Sequence, residues 1–360
     1  MPPLEQANEA VSNKQNNIPA LMGILIIASK NGLKLIGSSV GLSIQRRIPE
    51  EDVTVVRLGS IVIPADKLVK IIKSFPPAEI TIDVKGLEAH ITCGKSKCKI
   101  SCMSADEYTY NPIKPQTALS IPGATLRNLV SKTAFATKKE ETNEFPILAG
   151  IRIMSDNGRL SFTGCDRNRV AKYYTDAETT SEMQIVVDST GIEKAAKILG
   201  NAPTVDVGME RDQVSFATPD AIICATALEG NYPPVDSLLN MTPVATFWIT
   251  ASDLLGVVNR IEAVSEKKQN RIFIDAAPGR ILMWGKGEAG RVEEVLEAGE
   301  YEGESARVCL NAKWVEEAVK TINTSELQIK IGKHVYLHED NDEGAILQIT
   351  PLLTHEEAWA

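Results

Sequence analysis

Apolar and polar positions alternate between two rhythms along this chain. The apolar run Ile61-Val62-Ile63 reads as a strand. After the turn at Pro64, Leu68, Val69 and Ile72 fall on one side of a helical pattern and Lys67, Lys70 and Lys73 on the other. The same strand-turn-helix phrase returns at Ile185-Val186-Val187-Asp188 leading to Ala195-Ala196-Lys197-Ile198-Leu199. It returns again at Val308-Cys309-Leu310-Asn311 leading to Val315-Glu316-Glu317-Ala318-Val319. From Ile63 to Val187 is 124 positions, and from Val187 to Leu310 is 123. A glycine series keeps the same beat: Gly32 with Gly37, Gly158 with Gly164, and Gly279 with Gly285 each bracket a short alternating strand. The chain is therefore three copies of one domain.

Within each copy the order is helix, strands, helix, strands. The first helix of the second copy is expected over residues 124–137, with Leu126, Leu129, Val130 and Thr133 on one face and Arg127, Asn128, Ser131 and Lys132 on the other. Its counterpart in the third copy sets Leu254, Leu255, Val258 and Ile261 against Asp253, Asn259, Arg260 and Glu262, with Thr250 or Ser252 as cap. In the first copy the equivalent helix falls over residues 4–12, without the strand that should lead into it. Leu160-Ser161-Phe162-Thr163, Gln184-Ile185-Val186-Val187 and Leu327-Gln328-Ile329-Lys330-Ile331 read as strands of hairpins and meanders. The expected class is α+β, helices packed on antiparallel sheet, in three domains over residues 1–116, 117–241 and 242–360.

Composition narrows the setting. With 43% hydrophobic residues in 360, the chain can bury a core in each copy. No apolar run approaches the roughly 20 residues of a membrane helix, and the opening Met1-Pro2-Pro3-Leu4-Glu5-Gln6 lacks a signal-peptide pattern, so a cytoplasmic protein is expected. Cys93, Cys98 and Cys102 cluster on an expected hairpin but lack paired ligand spacing. Cys165, Cys224 and Cys309 stand alone, so all six read as reduced thiols and no metal is expected. Gly285-Lys286-Gly287-Glu288-Ala289-Gly290 matches a dinucleotide fingerprint, yet no helix opens at its last glycine, so it reads as a strand turn. No nucleophile with a base, metal triad or phosphate loop is visible, and neither catalysis nor a cofactor is expected.

Charge is unevenly placed. The net charge of −9 opposes nucleic-acid binding overall, whereas Lys67, Lys70, Lys73, Lys194, Lys197, Lys313 and Lys320 gather on the second helices. Acids gather in the expected strands and turns between Glu288 and Glu304. Solvated helix faces are one account of this pattern. The other is a helix-lined surface that follows a phosphate backbone without reading bases.

Several ordered motifs then carry a family resemblance. Ile18-Pro19-Ala20-Leu21-Met22-Gly23 with Asn31-Gly32, Ala105-Asp106-Glu107-Tyr108, Phe145-Pro146-Ile147-Leu148-Ala149-Gly150, Asp166 to Arg169, Leu228-Glu229-Gly230-Asn231-Tyr232-Pro233 and the stretch from Gly303 to Trp314 resemble, in this order, the bacterial DNA polymerase III beta subunit, the sliding clamp. The resemblance covers almost the entire chain. It implies a head-to-tail homodimer closing a ring of six domains round double-stranded DNA, helices inside and sheets outside. DNA-facing residues would be Lys67, Lys70, Lys73, Arg127, Lys132, Lys194, Lys197, Arg260 and Lys320. Asp106, Glu107 and Tyr108 of one protomer would meet Ala263 and Val264 of the other, where small side chains imply a weaker ring. DNA polymerase III subunits, the clamp loader and other partners would dock short peptides in a groove of Cys165, Arg169, Val170, Pro233, Leu238, Asn311, Trp314, Ile349, Pro351 and Leu352.

Some positions depart from that pattern. Asn168 stands where the family usually has histidine, Arg152 replaces an apolar groove position, and Leu353 replaces a common arginine. A tail over residues 355–360 carries Trp359; a solvated chain end is one reading of it, and an aromatic that transiently covers the groove is the other. These changes, with the missing first strand, suggest a divergent second copy or a mobile-element clamp. A clamp-fold regulator that binds partners without encircling DNA stays open as the alternative.

Overall fold

A computed structural model describes residues 2–11, 18–109, 117–137, 145–178, 182–210, 212–239, 242–265, 270–339 and 345–354. The tail with Trp359 and the expected helix end at Ser12 lie outside the described residues, as do residues 110–116 and 240–241 at the expected domain junctions. The first repeat runs α1 (Pro2–Asn8), β1 (Gly23–Ser29), β2 (Gly32–Ser38), β3 (Leu42–Ile48), β4 (Gly59–Pro64), α2 (Ala65–Ser74), β5 (Ile80–Lys85), β6 (Glu88–Cys93) and β7 (Ser96–Ser101). In the second, β8 (Thr117–Ile121) and α3 (Gly123–Ser131) precede β9 (Gly150–Asp156), β10 (Arg159–Cys165), β11 (Arg169–Asp176) and β12 (Met183–Asp188). It ends with α4 (Ser189–Leu199), β13 (Val205–Glu210), β14 (Gln213–Thr218) and β15 (Ala221–Thr226). The third begins with β16 (Ala245–Thr250), α5 (Ala251–Val264), β17 (Arg271–Ala277), β18 (Arg280–Gly287), β19 (Gly290–Leu296) and β20 (Tyr301–Gly303). It closes with β21 (Ala306–Asn311), α6 (Ala312–Val319), β22 (Glu326–Ile331), β23 (Val335–Glu339) and β24 (Ala345–Ile349).

Compactness does not follow the repeats. One unit comprises residues 1–127 with 190–227, the other residues 128–189 with 228–360. The cause is strand pairing. In the first unit an antiparallel sheet runs β4-β1-β2-β3-β15-β14-β13-β8, joined across repeats where Ile44 of β3 faces Ile223 of β15. A three-stranded sheet β5-β6-β7 completes that unit. In the second unit the order is β12-β9-β10-β11-β24-β23-β22-β16-β20, joined where Ala171 of β11 faces Leu347 of β24, beside a four-stranded sheet β19-β18-β17-β21. Each long sheet thus belongs to two repeats, and the hydrophobic cores close over the seams: Ala136 and Ala171 share one core with Val257, Leu310, Val315 and Leu347.

The repeated glycines have a steric reason. A Cβ on Gly37 would sit 1.8 Å from the Ala7 carbonyl oxygen, and one on Gly164 would sit 2.2 Å from that of Thr133. Only a bare backbone lets the first helix of the repeat lie this close to the strand. The glycine decoy is a hairpin, Gly287 of β18 pairing with Gly290 of β19.

Two helices are shorter than expected. The first ends at Asn8, and α3 ends at Ser131, with a 3-10 turn over Ala134–Ala136 in place of its last turn. There the buried Thr133 hydroxyl donates back to the Leu129 carbonyl at 2.6 Å, a local bond that competes with helix propagation. Thr250 is the cap of α5 by position, without a side-chain bond.

Candidate binding groove and helix surface

The groove residues are organised by the seam between β11 and β24. Successive residues of a strand point to opposite faces. Arg169, Ala171, Leu347 and Ile349 face the helices, whereas Val170, Lys172 and Gln348 face away from them. On that far face Cys165 and Val170, register partners on β10 and β11, pack with Ile147, Leu148, Val186 and Val235. The segment after Leu228 lies over them, bringing Tyr232, half-buried Pro233 and Leu238, which remains 38% exposed. Tyr336 donates its hydroxyl to the Leu238 carbonyl.

A second group forms at the end of the same strands. The buried Arg169 guanidinium donates to Asp166 at 2.9 Å, to Glu317 at 2.5 Å and to the Phe135 carbonyl at 3.1 Å, and lies against the Trp314 ring. The Asn311 carboxamide oxygen accepts from the Trp314 amide at 3.3 Å, capping α6. Leu352 returns to the same place: its amide donates to the Cys309 carbonyl at 2.8 Å, and its side chain packs against Phe273, Trp284 and Cys309, with half-buried Pro351 just before it.

One groove assignment needs correction. Ile349 is 1% exposed in the core beneath the helices, because it shares a face with Arg169. Gln348 is the residue of β24 on the groove face, opposite Val170 and Tyr336. The strand phase that decides this is invisible when both neighbours are plausible. Arg152, Lys172 and Asp236 also meet on this face. Arg152 donates to Asp236 at 2.8 Å, Lys172 does so at 2.8 Å, and Arg152 lies 5.3 Å from the centre of the Tyr232 ring. Burial would raise the Asp236 pKa, but the bonds from Lys172 and Arg152 outweigh it and hold the carboxyl below its usual range. Burial pushes up both the Tyr232 phenol and the Cys165 thiol.

His338, on the same face as Tyr336, is held down to about 4 by burial and by nearby Lys330. A folded pKa below the unfolded value of about 6.5 means the folded state prefers neutral imidazole. Its stability contribution is present above pH 6.5 and is lost as pH falls through about 4. Denaturant titrations should therefore show the second unit weakening between pH 6.5 and 4, and His338→Gln should remove that part of the slope. An unchanged slope in the variant would contradict the assignment.

The expected DNA-facing cations divide into three groups. Lys67 and Lys70 are exposed on α2, and among the described residues no carboxylate pairs with them. Others are engaged with their own unit: Lys73 meets Glu5 at 3.2 Å, Lys194 donates to the Glu9 carbonyl at 2.6 Å, and Lys197 meets the Glu9 carboxylate at 2.8 Å. Arg127 binds the Gly200 carbonyl and the Asn201 side chain, Arg260 binds Glu294, and Lys320 binds Glu316. Lys132 is a correction. It is 3% exposed, bonded to Glu339 at 2.5 Å and set over the Tyr173 ring, so it cannot face DNA. The early end of α3 delivers it to β23. Of the expected ring contacts, Asp106, Glu107 and Ala263 are exposed and Val264 is half-buried. Tyr108 is buried, its hydroxyl donating to the Ile36 carbonyl at 3.2 Å.

Three repeats of helices on antiparallel sheets that are shared across the repeat seams define a clamp-type fold. The family models for the DNA polymerase III beta subunit match the N-terminal domain over residues 1–112 and the central domain over residues 120–234. The beta sliding clamp of Bacillus subtilis is 28% identical over 363 residues, covering 96% of this chain and 95% of that protein. A crystal structure of the B. subtilis DNA polymerase sliding clamp superposes with a TM-score of 0.92 at 27% identity, covering 98% of this chain and 96% of that one. The Streptococcus pneumoniae DNA polymerase III beta chain shares the fold, with a TM-score of 0.91 at 23% identity over 98% of this chain and 97% of its own. The chain belongs to the bacterial DNA polymerase III beta subunit, or sliding clamp, family.

Proposed function

We propose that this chain is a DNA sliding clamp, a non-catalytic cytoplasmic scaffold whose two copies close head to tail round duplex DNA and tether the replicative polymerase and other partners through the groove. The strand order carries this reading. Each seam joins the β1-to-β4 half of one repeat, or its equivalent, to the last strands of the next: β3 with β15, then β11 with β24. The series leaves β19 with an open edge in the second unit and β7 with an open edge in the first. A second copy supplies the missing partner for each through a heterologous contact, and a rotation that closes after two copies gives a ring. The edges differ in charge, with Lys97 and Lys99 on the outward face of β7 and Glu293 beside Arg291 on that of β19.

The helix contacts repeat in the same way. Glu9, just past α1, receives Lys194 and Lys197 of α4, and Phe135, just past α3, lies against Arg169 of β11, whose guanidinium also lies against Trp314 of α6. Ala263, near the end of α5, takes the equivalent place facing α2 of the other copy. Lys67 and Lys70 then stand where that helix pair meets DNA. Because a ring is retained by topology, its phosphate contacts need only be weak and salt-sensitive.

The test is retention on nicked circular DNA after loading, compared with the same DNA linearised. The expected result is retention on the circle and rapid loss from the linear form. Equal loss from both would favour the partner-binding regulator. Lys67→Glu with Lys70→Glu, which removes four lysines from a ring of two copies, should lower the slope of log affinity against log salt by up to about four. An unchanged slope would remove these lysines from the DNA surface.

A further inference from the structure

We propose that the groove contains a carboxylate subsite, formed by Arg152 and Lys172, and that Asp236 is its resident occupant, displaced when a partner peptide brings an acidic group of its own. The idea rests on the groove reading above and names one chemical feature of the peptide that reading implies.

The cations and the anion are held differently. Arg152 is on β9 and Lys172 on β11, both facing Thr163 of β10, so one cross-strand row on the far face of the sheet fixes them. The Arg152 side chain is 8% exposed and that of Lys172 is 19% exposed. Asp236 comes from the short 3-10 turn Val235–Leu238 and is 48% exposed at its side chain. Two largely buried cations therefore share one carboxylate that reaches them from the solvent side.

The site is also under-satisfied. The Arg152 Nε has no acceptor, and the Thr163 hydroxyl beside it has no partner. On the neighbouring row of the same face, the Gln348 side-chain Oε1 lacks a donor although the residue is only 2% exposed. Native interiors leave few such groups unmet, so the Arg152 Nε–H and the Thr163 O–H call for an acceptor, a role that a carboxylate fills. Leu238, two residues beyond Asp236, is an exposed apolar residue of the groove, so a peptide anchored there passes directly over the turn that carries Asp236. A carboxylate on that peptide reaches a bidentate guanidinium and an ammonium together, the arrangement that gives strong charge-assisted hydrogen bonds. Exchange of one carboxylate for another keeps the buried cations neutralised throughout, which avoids the cost of an unpaired buried charge.

The test uses the full-length protein and fluorescein-labelled heptapeptides with three apolar residues held constant, matched to the exposed apolar Leu238. Each remaining position is in turn Asp or Asn, and each peptide is made with a free and an amidated C-terminus. We expect one placement of Asp, or the free terminus, to bind about tenfold tighter than its neutral counterpart by anisotropy. The two sets tell a side-chain carboxylate from a terminal one. Lys172→Met should erase the difference between each acidic peptide and its neutral counterpart, the comparison being made within the variant so that any general change in groove affinity cancels. Asp236→Asn should increase that difference, since the resident competitor is gone, and this variant keeps the shape of the turn. Equal affinities for every acidic and neutral pair, or a preference that survives Lys172→Met, would overturn the subsite. Failure of all peptides to bind, neutral ones included, would instead overturn the groove itself.

Discussion

Replacing Lys132 with methionine should destabilise the second unit by about 3–5 kcal/mol, the usual cost of leaving one member of a buried ion pair without its partner. Lys132 and Glu339 are 4% and 5% exposed at their side chains, 2.5 Å apart, and Glu339 also accepts the Asn323 amide at 3.2 Å. An exposed pair would contribute no more than about 1 kcal/mol, so burial decides the magnitude. The melting temperature of that unit should fall by on the order of 10 °C. Lys132→Met combined with Glu339→Leu should recover most of the loss, because an apolar pair of similar volume removes the stranded charge. If the double variant were as unstable as the single one, the loss would lie in packing and not in the charge.

Reversing the charge of the β7 edge should open the ring. Lys97 and Lys99 lie on one face of that strand, while Ile100 and Cys98 on the other pack into the first unit. On β19 the corresponding face carries Arg291, Glu293 and Val295, since Val292 and Leu296 pack inward and Glu294 is held by Arg260. Lys97→Glu with Lys99→Glu sets like charges across the edge, and such juxtapositions cost several kcal/mol at an interface. Sedimentation should show a dimer dissociation constant raised by roughly a hundredfold or more, and retention on nicked circular DNA should disappear. Adding Glu293→Lys in the same chain should restore part of both. A fully dimeric double-glutamate variant at low nanomolar concentration would refute edge-to-edge closure.

Much of this molecule can be read from residues near one another in sequence. The helix after Pro64 follows from the spacing of Leu68, Val69 and Ile72, and the recurrence of Gly37, Gly164 and Gly285 follows from a close approach made three times, whereas Gly158 and Gly279 are turn glycines with positive φ. What escapes is set by distance and phase. The seams pair residues far apart, such as Leu42 with Ala225, and no local pattern specifies them. Lys132 reads as a solvated helix residue because its partner is 207 positions away. Arg152 and Asp236 are separated by 84 positions, so the polar row within an otherwise apolar groove appears only after folding. Ile349 and Gln348 differ by a single step of strand phase, which is fixed by pairing with Arg169 and Val170.

The seams bear on how such a chain can be divided. A fragment cut at a repeat boundary would carry half of a shared sheet at each end, with two complementary bare edges on the same molecule. Open edges of that kind are templates for pairing. An isolated single repeat is therefore expected to join others head to tail through the same seam, so that a particle closed by two chains would need six separate pieces, and the covalent links between repeats cut the number of association steps that closure requires.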